Sequence, residues 1–423
     1  MAPTGLALKC QVCTTSVGTT LAMYPGMNPQ ALASARLADS ANWRAPTPEE
    51  TKVATLARTL RFGVELEVVG IDERAIAKAA AKALNYSEPE TYNGGYPVYD
   101  SQRRCWEVVS DGSLSDPSGE LVTPPLTYAD IPLLQEVARA IHKAGGRVSY
   151  RCGMHVHVDA GDLTVAGLVN LCEMVRFYER TFPDVLGVQD RRVDRYCRPV
   201  KWECTNALFF HGETGEWDNI ANSDEDARQE FYIAFHDYDM SSCRAERYSE
   251  NRYCDARYHG LNVHSVFHRG TTEFRWFEGT LHGGEIRANV LLCLGMAAAA
   301  RLMPNPTRAP QETLPEVRCT VTAVLRLLSQ CGMVGEEFTN PRLHILRRIR
   351  PSAQAALDDQ GRACTAPVTP TPAQARVAPA RAPVAPATGY SMTPPHSRTV
   401  PALAPSPYSF LSSHPHQPTT NWL

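Results

Sequence analysis

The sequence predicts an α+β protein with a largely antiparallel sheet. Three observations predict it: segments in which apolar residues recur at every second position, segments with helical periodicity between them at irregular intervals, and a 43% hydrophobic content that supplies a sizeable core. The first alternating segment is Thr59 to Val69. Leu60, Phe62, Val64, Leu66 and Val68 form a dry face, and Arg61, Gly63, Glu65 and Glu67 a polar one. A helix over Asp72 to Leu84 follows, with Asp72 as its N-cap, and another over Tyr128 to Ala144. Arg147 to Asp159 alternates again: Val148, Tyr150, Cys152, Met154, Val156 and Val158 against Arg151, Gly153, His155, His157 and Asp159. Helices are predicted over Val165 to Phe182, capped by Thr164, and over Glu225 to Tyr238. Tyr258 to His268 reads as a strand, with Leu261, Val263 and Phe267 on one side and Tyr258, Asn262 and His264 on the other. Thr271 to Gly279 is a strand placing Glu273 and Arg275 on one face, and Gly284 to Leu302 is a helix.

The chain divides by composition. Residues 1–57 are weakly patterned and read as an N-terminal arm. Residues 58–305 form the strongly patterned core, and 306–362 a helical extension. Residues 363–423 hold 13 prolines, no Asp, Glu or Lys, and three arginines, so they form a disordered tail too poor in large apolar groups to offset the entropy of ordering.

Net charge is −3, or −6 without the tail, which speaks against nucleic acid as a partner. The longest apolar run, Ala288 to Ala300, contains Asn289 and lies between Arg287 and Arg301. It reads as a buried helix, and no membrane partner is expected. No basic start followed by an apolar block is seen. The 13 cysteines, odd in number and irregular in spacing, therefore read as reduced thiols of a cytoplasmic protein. Cys10 and Cys13 lack a second pair with zinc-site spacing, and Cys152 alternates onto the dry face. There is no Gly-Lys pair, hence no P-loop, and no Gly-x-Gly-x-x-Gly element.

The polar faces carry the chemistry. Solvated strands favour Thr, Lys, Ser and Gln, whereas these hold Glu65 and Glu67, His155 and His157, then Glu273 and Arg275. Singly, each has a plainer reading: a solvated Glu-x-Glu edge, a surface Glu–Arg pair. Together on one sheet the acids would converge, and converging carboxylates either take up protons or bind cations. Oxygen donors with an imidazole suit Mg²⁺ or Mn²⁺ better than Zn²⁺.

Several stretches resemble the amidoligase family. They are Phe62-Gly63-Val64-Glu65-Leu66-Glu67, Trp106 to Asp111, Gly119 to Pro125, and Cys152-Gly153-Met154-His155-Val156-His157-Val158-Asp159. Tyr258-His259-Gly260-Leu261-Asn262, Thr271 to Arg275 and Gly279-Thr280 complete the set. The Gly-Met-His-x-His core is also similar to the corresponding glutamine synthetase strand. The resemblance spans about residues 59–300 and implies a glutamine synthetase-like domain, a half-barrel of mostly antiparallel strands. The implied activity is an ATP-dependent carboxylate–amine or ammonia ligase working through an acyl phosphate, with Mg²⁺ or Mn²⁺ as cofactor.

By the same resemblance Glu65, His155 and Glu273 would hold one metal, and Glu67, Asp111 and Glu120 another. Arg275 would face the transferring phosphoryl group, with Arg195 or Arg198 as a second arginine and Arg191 and Arg192 as competitors. His157, Tyr258, Asn262 and His264 would border the substrate. The expected partners are a carboxylate and an amine or ammonia, with a peptide or cell-wall component among the carboxylates the family suggests. The oligomeric state is left open, since glutamine synthetases share sites between subunits and amidoligases need not. Two other readings stand beside this one. One is a metal-dependent amidohydrolase-type hydrolase, which would use the His-x-His strand but leave Glu65, Glu67 and Glu273-x-Arg275 without a role. The other is a non-catalytic scaffold with a decayed ligase core.

Overall fold

Seven strands share one sheet: β1 (Phe62–Val69), β2 (Tyr96–Tyr99), β3 (Cys105–Val109), β4 (Ser118–Val122), β5 (Gly153–Asp159), β6 (Leu261–Asn262) and β7 (Thr271–Glu278). In this computed structural model, which describes residues 44–114, 117–213, 257–307, 310–311 and 321–347, the strand order is β2-β3-β4-β1-β5-β7-β6. Each neighbouring pair of named strands is antiparallel and the sheet is open. The architecture is α+β, as the mixed patterning predicts.

The apolar half of the alternation explains one layer. Phe62, Val64, Leu66 and Val68 of β1 and Met154, Val156 and Val158 of β5 are at most 1% exposed. Helix α1 (Pro48–Ala57) precedes β1, and α2 (Glu73–Leu84) packs on β2, β3 and β4. Asp72 caps α2 by accepting from the Ala75 N–H at 2.8 Å. Next come α3 (Ile131–Lys143), α4 (Val165–Tyr178), and the short α5 (Phe182–Leu186) and α6 (Asp190–Arg195). Thr164 caps α4 through the Gly167 N–H at 3.0 Å. Then follow α7 (Trp202–Glu213), α8 (His264–Arg269), α9 (Gly283–Leu302), α10 (Val321–Gln330) and α11 (Thr339–Leu346). Helix α9 is buried without a break from Ala288 to Ala300, because α1, α3, α4, α11 and strand β5 all lie against it. That is why its sequence is apolar on every side rather than on one stripe. Among the described residues no helix is long and apolar enough to cross a membrane.

Four sequence expectations need correction. Residues 44–57, assigned to the loose arm, include α1, which a Thr47–Glu50 capping box starts and whose Val53, Ala54 and Ala57 are buried. The segment from Arg147 is not one strand. Arg147 makes a single bridge to Val69, a turn follows, and pairing resumes only at Gly153, leaving Val148 and Tyr150 40% and 55% exposed. The strand expected over Tyr258 to His268 pairs only at Leu261 and Asn262, and the chain turns into α8 at His264. The long helix to Phe182 ends at Tyr178 in a 3₁₀ turn, since Pro183 sets a new helix start. The helix expected over Glu225 to Tyr238, the pair Cys10 and Cys13, and the tail from 363 lie outside the described residues. The seven described cysteines are free thiols, six of them buried.

Two buried carboxylates tie distant segments. Asp130, at the start of α3, accepts from both terminal nitrogens of Arg104 at 2.8 and 2.9 Å and from the Thr127 N–H at 2.8 Å. Glu50 accepts from Arg44 at 2.6 and 2.7 Å and from the Ser329 hydroxyl. Burial alone would push both carboxyls up, but these donors outweigh it and hold each at about 2. Depressed carboxylate values add stability that is complete above the ordinary carboxylate range and is lost as pH falls toward about 2. Asp130→Asn should therefore cost about 1–3 kcal/mol at pH 7. In urea titrations followed by circular dichroism, its gap from wild type should narrow at pH 3 and close further at pH 2; a gap independent of pH would refute the assignment.

Candidate functional site

The other half of the alternation meets on the opposite face of the sheet. Antiparallel register sets Glu65 across from His155, Glu67 across from Glu120, His157 across from Glu273, and Asn262 across from Glu273. Cross-strand partners lie side by side, so five strands bring their polar residues into one cluster. Glu65 Oε2 lies 2.9 Å from His155 Nδ1, and Glu65 Oε1 lies 3.3 Å from His157 Nε2. Glu273 Oε1 is 3.8 Å from His155 Nδ1 and 4.0 Å from His157 Nε2, and Glu67 Oε1 is 3.8 Å from His155 Nε2. The face is not wet: Glu67, His155, His157, Asn262 and Glu273 are all buried.

The fixed hydrogen bonds are few. Glu67 Oε2 accepts from the Gly153 N–H at 2.6 Å, and Glu273 Oε2 from Asn262 Nδ2 at 2.6 Å. His157 Nδ1 lies 3.0 Å from Thr271 Oγ1, which also bonds the Ser265 hydroxyl at 2.8 Å. These contacts orient the His157 ring and turn Nε2 toward the acids.

Charge crowding governs the site. Burial would push the Glu65 carboxyl up, but His157 and His155 opposite it hold it well below the usual carboxylate range. Glu273 is likewise buried and is held at about 2 by Arg275, then His157. Glu120 goes the other way: burial, then the charges of Glu65, Glu67 and Asp111, push it well above the usual range. Within this cluster three sets of donor atoms lie close enough together to hold a cation: Glu65, His157 and Glu273; Glu65, Glu120 and His155; and Glu67, Asp111 and Glu120. All six metal-site residues expected from the sequence are thus brought together, and His157, expected beside the substrate, joins them.

The arginines are sorted by the structure. Arg275 pairs with Glu273, two residues back on β7, and its guanidinium lies 5.9 Å from the Tyr258 ring centre. Arg198 is half-buried at the edge, its Nε donating to the Tyr258 carbonyl at 3.3 Å. Arg195 is exposed with its guanidinium over Tyr196, so the structure does not bring it to the cluster. Arg192, named only as a competitor, is 4% exposed and lies against Gly153, its terminal nitrogens donating to the Cys152 and Arg275 carbonyls. Helix α6 turns position 192 inward and 195 outward. Arg191 stays outside, stacked 3.7 Å over Tyr150. His264 is buried at the start of α8 rather than on a strand. Arg269, which sequence reasoning missed, ends α8 and donates to Glu65 Oε1 at 2.8 Å. Nothing in its local pattern marks it, because its partner is 204 residues away.

The family model described as "Putative amidoligase enzyme" matches residues 58–297, more than half of the chain. The chain belongs to the amidoligase family. The amidoligase match takes in all seven strands and every residue of the cluster, and it ends inside α9. It supports a ligase-type enzyme. No curated protein matches the chain.

Acids crowded for a purpose other than folding should weaken the fold of this amidoligase. A carboxylate whose folded value is raised opposes folding above its unfolded value, and the penalty vanishes as pH falls and the group protonates. Glu120→Gln should thus raise the melting temperature by about 2–4 °C at pH 8. The gain should shrink at pH 5. Scanning calorimetry showing a lower midpoint at pH 8 would overturn this electrostatic reading.

Proposed function

We propose that the chain is an ATP-dependent carboxylate–amine ligase of the glutamine synthetase type, with a half-barrel of that kind as its scaffold. The single observation that carries this reading is the buried cluster of Glu65, Glu67, Asp111, Glu120 and Glu273 with two imidazoles and adjoining arginines. A carboxylate is a poor electrophile, and its encounter with a triphosphate is repulsive. A site that concentrates cations between them answers both problems.

The donor set fits hard divalent cations. It is mostly carboxylate oxygen, its acids are crowded enough to shift Glu120 upward, and among the described residues His157 Nε2 is buried with no group in hydrogen-bond geometry, only Glu65 Oε1 at 3.3 Å. Glu65, His155 and Glu273 would hold one Mg²⁺ or Mn²⁺, with His157 beside them, and Glu67, Asp111 and Glu120 a second. Bound cations would neutralise nucleotide phosphate oxygens. The rest falls to the chain itself. Arg275, fixed by Glu273, would stabilise charge on the phosphoryl group in flight. Tyr258 and Asn262 would border the acid substrate.

In the first step a substrate carboxylate oxygen attacks the γ-phosphorus, and the bond from that phosphorus to the β–γ bridging oxygen breaks, releasing ADP. In the second, an amine or ammonia nitrogen attacks the acyl carbon, the bond from that carbon to the phosphate oxygen breaks, and phosphate leaves. The nitrogen gives up its extra proton to solvent or a carboxylate.

The antiparallel sheet argues against the hydrolase reading, which expects strands alternating with helices in a parallel barrel. The scaffold reading expects lost acids, and all of them are present and converge.

The test is ADP release by purified protein, with Mg²⁺ and pools of carboxylic acids and amines. Turnover should need both an acid and an amine. Glu65→Ala and His155→Ala should each lower kcat by at least about a hundredfold while keeping the melting temperature within a few degrees. Arg275→Lys should be severely impaired as well, because a point charge cannot replace a planar fork. ADP formation that ignores the acid, or wild-type rates in Glu65→Ala, would end the proposal.

A further inference from the structure

Away from the sheet, donor atoms of His282, Glu285 and His344 lie within 4.8 Å of one another. His282 and Glu285 stand at the start of α9, and His344 on the last turn of α11, which packs against α9. Positions three apart share one side of a helical turn, so the two α9 donors look the same way. The His282 and His344 rings are 5.1 Å apart, centre to centre. His282 is exposed, Glu285 half-buried and His344 buried, so the group is anchored on one side and open to solvent on the other.

The plainer reading of these residues is a capped helix start. His282 Nδ1 does accept from the Glu285 N–H, at 3.4 Å. That is a long bond, and Asn, Asp or Ser caps a helix better than His, so capping alone does not call for an imidazole. Gly284 is the second observation. It is not among the residues with positive φ, so its backbone does not call for glycine. Packing does: a Cβ there would collide with the His344 ring and fall 3.1 Å from His282 Cε1. The glycine lets the His344 ring come down on the very turn that carries the other two donors. The carboxylate between them is held in place, Glu285 Oε2 accepting from Thr280 Oγ1 at 2.7 Å and Oε1 pairing with Arg347.

We infer that His282, Glu285 and His344 form a site for a zinc-class divalent cation, which clamps α11 to the start of α9. Two imidazoles and a carboxylate are a donor set that Zn²⁺ takes with water as fourth ligand, at distances of about 2.0–2.2 Å. Mg²⁺, which prefers oxygen, is poorly served by it. The exposed His282 side chain swings inward to close the donors on one ion, and the ion competes with Arg347 for the Glu285 carboxylate. The site does not rest on the ligase reading, and His344 lies beyond residues 58–297 that match the amidoligase family.

The experiment is calorimetric titration of the full chain with Zn²⁺, in excess Mg²⁺ to compete at the oxygen-rich sheet cluster. Wild type should bind one more zinc than Glu285→Gln, and one more than His282→Asn, which keeps a cap and loses the imidazole. Gly284→Ala, which displaces the His344 ring, should weaken that zinc by about tenfold or more. Arg347→Gln, relieved of a competing cation, should bind at least as tightly as wild type. With free zinc a hundredfold above its Kd, the melting temperature of wild type should rise by about 5 °C more than that of His282→Asn.

Equal zinc counts with affinities within about twofold in wild type, His282→Asn and Glu285→Gln would refute the site, as would a wild type that binds no zinc. Zinc held at the sheet cluster alone would be lost in Glu65→Ala and kept in His282→Asn, and that too would refute it. Zinc binding that depends on His282 in a protein that forms no ADP would remove the ligase reading and leave this site standing.

Discussion

Five carboxylates facing one another from β1, β4, β7 and the turn after β3 are the constraint to which the rest of the structure answers. Two acids on adjacent strands at high burial repel by several kcal/mol at any plausible interior dielectric. Antiparallel pairing nonetheless fixes Glu67 across from Glu120, and Glu65 beside both histidines. The sheet can hold them because its other face is a dry layer under α2 and α9, the latter buried from Ala288 to Ala300. Histidines and arginines then balance the acids one by one: His155 and Arg269 at Glu65, Arg275 at Glu273. Glu120, with carboxylate neighbours and no ion pair among the described residues, is left with its carboxyl pushed upward.

How much of this was legible followed from how local each signal was. Period-two alternation identified β1, β5 and β7, and it put Glu65, Glu67, His155, His157 and Glu273 on the right faces, because side-chain direction in a strand is set by neighbouring residues alone. It failed where a turn keeps the alternation without the pairing. Val148 and Tyr150 continue the apolar pattern of β5, yet they sit in a turn and point to solvent. The segment after Tyr258 failed in the opposite way: two residues pair, and α8 then takes over to bring Arg269 back to Glu65. The capping box of α1 was readable at Thr47 and Glu50 but was hidden among the prolines at 46 and 48, one of which is a favourable helix start.

The choice among Arg191, Arg192, Arg195 and Arg198 could not be made from the sequence, and the reason is geometric. Helix α6 is only six residues long, too short for an amphipathic stripe to declare which side faces the protein. Four arginines within eight positions carry identical chemistry, and a rotation of one residue in where the helix starts exchanges inside for outside. What separates them is tertiary. Arg191 meets Tyr150, Arg192 meets Gly153, and Arg198 meets the Tyr258 carbonyl.

The alternation in β1 and β5 also means something different from what alternation usually means. In an ordinary two-faced sheet the polar residues are polar because water covers them, and almost any hydrophilic side chain will serve. Here His157 is 1% exposed, Glu273 5% and His155 6%, so water is not the reason for their polarity. A sequence under folding pressure alone would place Val or Ile at such positions and gain apolar burial at each. The polar choices persist on β1, β4, β5 and β7 together, with ionisable types in place of Thr or Ser, and each strand's contribution is unfavourable without the others. A buried face that is costly residue by residue, yet assembled from strands more than two hundred positions apart, is selected as a unit.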